Sequence, residues 1–68
     1  MAGRLKNIVD YVKSRVHFKN LAVACLNLKA GMNVDDFREN TPDNPELEQK
    51  LIQAAKEILG VDHLDAHF

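Results

Sequence analysis

An all-α fold, a small compact bundle of three main helices with one or two short extra helical turns, is predicted by three features of this chain. Apolar residues recur at helical spacing through three separate segments. Glycine is confined to the two expected helix ends and the N-terminus, and the two prolines fall in the clearest loop and at the helix start that follows it. Nowhere do four or more residues alternate apolar and polar as a half-buried strand would.

The first segment, about residues 4 to 17, places Leu5, Ile8, Val9, Val12 and Val16 within roughly a third of a turn, the stripe of an amphipathic helix. His17, Phe18, Lys19 and Asn20 break that pattern, which predicts a tight turn with Phe18 anchored in the core. A second helix, 19 to 30, should end at Gly31, the residue suited to the left-handed conformation beyond a helix terminus. Asn33 followed by Val34, Asp35 and Asp36 reads as an N-cap with acids in the first turn of a short helix, roughly 34 to 39, that buries Val34 and Phe37. The stretch from Asn40 to Asn44 is dense in turn formers. Asn44 before Pro45 then starts a third helix, 44 to 59, carrying a stripe of Leu47, Leu51, Ala54 and Ile58. Gly60 closes it, Val61 can fold back in a Schellman cap, and a last turn near 62 to 66 would bring Leu64 and Phe68 to the bundle.

Residues 1–68 are expected to form a single helical domain, and one this small buries only about 60% of the surface its unfolded chain exposes. Its stability is therefore expected to be marginal. Cys25 is the only cysteine, so no disulfide can form within the chain, and a lone thiol fits a reducing, cytoplasmic setting. No apolar run approaches the roughly 20 residues needed to span a bilayer, and the first residues lack the apolar stretch of a signal peptide. A hydrophobic content of 46% with 28% charged residues is that of a folding, globular chain. The net charge of −1 is unevenly spread: residues 1–20 carry +4 and residues 21–68 carry −5.

The second helix is the most informative element. Leu21, Ala24, Cys25, Leu28 and Met32 fall on one face, whereas Ala22, Val23, Leu26 and Ala30 fall on the opposite one. A helix apolar on both sides must be sandwiched. The first stripe is expected to meet helix 3 and the valines of helix 1. The second, Ala22, Val23, Leu26 and Ala30, is the candidate interface with another protein, foremost a second copy of the chain.

Chemical sites are sparse. His63 and His67 share an i, i+4 spacing with Asp62 and Asp65 nearby, but a zinc ion asks for three or four ligands and no Cys-x-x-Cys exists, so no metal and no cofactor is expected. Cys25 amid Leu21, Ala24 and Leu28 reads as a small core residue, and His17, at a corner two turns away, is a poor base for it. Asp35 and Asp36, adjacent on a helix, point apart and read as caps. Three glycines leave no phosphate-binding loop, and no enzyme is predicted. Arg4, Lys6, Lys13 and Arg15 on the first helix form the candidate surface for an anionic partner. Nucleic-acid binding, through that helix or through a helix-turn-helix with residues 33 to 40 as recognition helix, is the alternative function. It is weakened by Asp35, Asp36 and Glu39 on that element. The leading expectation is a small regulatory or adaptor protein that works by protein–protein binding, as a homodimer.

Overall fold

A computed structural model describes residues 3–64, arranged as three helices and one 3-10 turn with no strand among them. Helix α1 spans Arg4–Arg15, α2 Lys19–Ala30 and α3 Pro45–Leu59, and the 3-10 turn is Val34–Asp36. α3 packs against both α1 and α2, which touch each other less. No described helix is long and apolar enough to cross a membrane.

α1 buries Leu5, Ile8, Val9 and Val12, the stripe its periodicity marks out. It stops two residues earlier than expected, because Val16 is already extended (φ −116°, ψ 151°). Phe18, expected in the core, is instead 76% exposed at this corner. At the other end of α1, Gly3 takes φ +90° and its amide donates to the Thr41 carbonyl at 3.2 Å. The chain start is thereby tied to the turn before α3.

α2 has the expected bounds and ends on Gly31, whose amide donates to Asn27 O at 2.8 Å. The short helix expected over 34 to 39 contracts to a single 3-10 turn, because Phe37 is extended (φ −68°, ψ 138°). Val34 and Phe37 are nonetheless buried, and Asn33 Oδ1 accepts from the Asp35 amide at 3.1 Å. A second asparagine stitches this turn to α2: Asn27 Oδ1 accepts from the Val34 amide at 2.7 Å. Replacing Asn27 with Ala strands that amide beside a buried side chain, and should cost about 1–3 kcal/mol, read as a lower urea midpoint with an unchanged slope.

α3 begins as its sequence dictates, with Asn44 Oδ1 accepting from the Leu47 amide at 3.2 Å and Pro45 in the first turn. It ends on Gly60, after which the Val61 amide reaches back to Lys56 O at 3.1 Å, the long bond of a Schellman cap. Residues 62–64 form no helix, although Leu64 packs against the core; the rest of the expected last turn, with Phe68, lies outside the described residues.

Candidate functional site

The two faces of α2 exchange the roles expected of them. Ala22 and Leu26 are buried in the core, with Val23 and Ala30 packed against it, so the stripe read as an interface is the inner face. Its opposite is the outer face: Leu21 is 65% exposed and Leu28 85%, and Cys25 is exposed as well, whereas Met32, expected on the same stripe, lies beyond the left-handed Gly31 and off the helix. The physical reason lies in the neighbours. The part of α3 that is fully buried presents Ala54, Ala55 and Leu51, and small residues such as Ala22 let two helices approach closely. Cys25 is therefore not a core residue but part of the surface.

Phe18 extends the outer face by one turn. Phe18, Leu21 and Cys25, together with Val16 and with Ile58 and Leu59 of α3, line a mostly apolar groove of about 430 Å³ where the α1–α2 corner meets the end of α3. Arg15 and His17 stand at its rim, so Cys25 and His17 border one cavity despite their separation in sequence. None of Phe18, Leu21, Cys25, Leu28 and Met32 was among the expected interface residues, yet a signal for them exists. Phe18, Leu21, Cys25, Leu28 and Met32 follow one another at intervals of three, four, three and four.

The basic residues of α1 are engaged within the chain. Arg4 Nε donates to Glu48 Oε1 at 2.5 Å, and Glu48 is a buried carboxylate in the first turn of α3. That hydrogen bond, opposed by burial, raises the Arg4 guanidinium above its ordinary value. The Arg4 amide donates to Asp43 Oδ1 at 3.3 Å, so α1 and α3 are joined at their starts. Lys6 Nζ donates to Asp10 at 2.7 Å, one turn along, which raises the Lys6 ammonium. Lys13 pairs with Asp35 at 3.1 Å, and Arg15 lies over the Tyr11 ring at 4.8 Å. Only the last of these four meets no carboxylate in its described contact. The half-buried Arg4–Glu48 pair was not foreseen, because residues 44 apart in sequence give no periodic signal.

The helix-turn-helix reading loses its recognition helix, since residues 33 to 40 hold a single 3-10 turn. Asp35 pairs with Lys13 and Asp36 is exposed, so the two carboxylates do not converge. His63 is exposed, and His67 and Asp65 lie outside the described residues. Among the described residues no three His, Cys, Asp or Glu side chains come close enough to hold a metal ion. The chain matches no known protein family, no curated protein and no solved structure.

Proposed function

We propose that this protein works by protein–protein association in a regulatory or adaptor role, as a homodimer joined through the outer face of α2. One observation carries this: Leu21 and Leu28 stand exposed on the outer side of α2, and Phe18 and Met32, two more exposed large apolar side chains, flank its two ends. Single exposed leucines are ordinary, but four exposed large apolar side chains on and beside one short helix of a chain this small point to a contact surface. The opposite side of α2 is already spent on the chain's own core. Binding of an anionic partner by α1 has weaker support, because Arg4, Lys6 and Lys13 each hold a carboxylate of their own chain. No catalytic step is assigned to the protein, and an exposed free Cys25 fits a reducing compartment such as the cytoplasm.

An interface of one helix per copy stays below the ~1,200 Å² typical of tight complexes, so association is expected to be weak and concentration-dependent. Sedimentation of the chain from about 10 µM to about 1 mM, a range suited to weak affinities, should show the mass rising from 7.7 kDa towards twice that value. Leu28→Glu should stay monomeric at every concentration while melting within a few degrees of the parent, since Leu28 makes no core contact. A parent chain that remains at 7.7 kDa throughout removes the proposal.

A further inference from the structure

The ten acidic residues of the chain all lie outside residues 11–34, whereas Lys13, Arg15, Lys19 and Lys29 lie within that stretch. Two of these four cations are answered from elsewhere in the fold, Lys13 by Asp35 and Lys29 by Glu57. Arg15 rests on the Tyr11 ring, a contact that holds the guanidinium in place and leaves its charge uncancelled. Among the described residues neither Arg15 nor Lys19 has a carboxylate partner. Both stand at the corner between α1 and α2, where the apolar groove of about 430 Å³ opens. Arg15 and His17 line that groove, and His17 and Lys19 line the hollow that adjoins it at Phe18 and Leu21. No carboxylate lines either. We infer that the groove binds a small amphipathic anion, an alkyl tail ending in a carboxylate, with the tail along Val16, Leu21, Cys25, Ile58 and Leu59 and the carboxylate at Arg15, His17 and Lys19.

Shape selects this class over larger anions. The groove lies within the range of roughly 300–1,000 Å³ of small-molecule sites, which are mostly apolar with a few polar groups that fix orientation. A helix of a partner protein, about 10 Å across with its side chains, would bridge the groove and leave it unfilled. A lipid surface would meet the exposed Phe18 and Leu21 but not the floor, because Ala22 is buried and Val16, Ile58 and Leu59 are half-buried. A single flexible tail reaches that floor and covers the apolar side chains that face water there. Electrostatics select the head group. A carboxylate gains charge-assisted hydrogen bonds from the Arg15 fork beside the Lys19 ammonium, whereas a cationic head meets repulsion with no acid at hand to offset it. Leu28, the most exposed leucine of the outer face, does not line the groove, so this site is separate from the centre of the self-association surface.

Sodium decanoate, kept below its micelle concentration, is the probe. Calorimetry on the dilute parent protein should show saturable binding at one site, and each methylene removed on going to octanoate and hexanoate should weaken it about two- to fourfold. Decyltrimethylammonium, which carries a tail of similar length on a cation, should bind at least about tenfold more weakly. Arg15→Gln combined with Lys19→Gln, both at exposed positions, should weaken decanoate by about five- to tenfold and leave the melting temperature of the free protein nearly unchanged. Cys25 reports the location, because it is exposed and lines the groove. Saturating decanoate should slow its alkylation by N-ethylmaleimide severalfold, in Leu28→Glu as in the parent. Absence of saturable decanoate binding, or equal affinity for the cation, overturns the proposal. Binding that leaves Cys25 equally reactive also overturns it, since the tail then lies elsewhere. Vesicles of phosphatidylglycerol that bind the protein while decanoate does not would assign the corner to a lipid surface instead.

Discussion

Leu26→Ala should lower the melting temperature by about 10 °C or more, whereas Leu28→Ala, two residues along the same helix, should leave it nearly unchanged in dilute solution. Leu26 is 0% exposed and Leu28 85%. Truncating a buried leucine loses the transfer energy of the removed atoms and leaves a cavity, together about 2–5 kcal/mol. A domain of this size has roughly 3–10 kcal/mol of stability in all, and each kcal/mol shifts its melting point by about 4–8 °C. The loss is thus a large share of the total, and a part of the population could unfold at room temperature. An exposed leucine away from any partner costs less than about 0.5 kcal/mol to truncate. Circular dichroism melts of the two variants at low concentration decide which face of α2 is inside. Equal melting points, or a larger loss for Leu28→Ala, would reverse the assignment of the faces.

Gly3→Ala is the second large effect, at a position that carries no side chain. Its φ of +90° is one that residues with a Cβ rarely adopt, and forcing them there costs about 1–3 kcal/mol. A Cβ at Gly3 would also lie 2.9 Å from the carbonyl oxygen of Glu39, a backbone atom that cannot swing aside as a flexible side chain would. Relief requires moving either the start of α1 or the turn before α3. That in turn disturbs the Gly3–Thr41 hydrogen bond at 3.2 Å and the junction where Arg4 meets Glu48. Gly31 is the internal control: its φ is +73°, but nothing lies within 4 Å of the added carbon. Urea unfolding should show Gly3→Ala losing more stability than Gly31→Ala. Equal losses would mean that backbone strain alone matters at Gly3 and that the close approach to Glu39 is of no consequence.

Much of the fold is legible in local chemistry. The stripe of Leu5, Ile8, Val9 and Val12 can face only one way, because the rest of α1 is polar. Asn44 with Pro45, Gly31 and Gly60 mark helix ends by hydrogen bonding and backbone freedom that act within a few residues. The three- and four-residue intervals of Leu21, Cys25 and Leu28 are also visible in the chain itself. Less legible are the places where an element stops because of its surroundings: α1 at Val16, and the turn at Phe37, where burying the ring is compatible with extended backbone.

Which side of α2 turns inward was settled only by the assembled bundle. Both stripes are apolar, and the hydrophobic effect is proportional to area and has no direction, so neither stripe alone selects the core. The choice depends on the shape of what α2 meets. α2 meets α3, α1 and the 3-10 turn, and in that setting the face bearing Ala22 and Leu26 is the one covered and the one bearing Leu21 and Leu28 is left outside. The Arg4–Glu48 pair belongs to the same class, since it exists only because two helix starts distant in the chain are brought together. Periodicity and capping act over a few residues and can be read one segment at a time, whereas steric fit and ion pairing between segments come into being only when the segments meet.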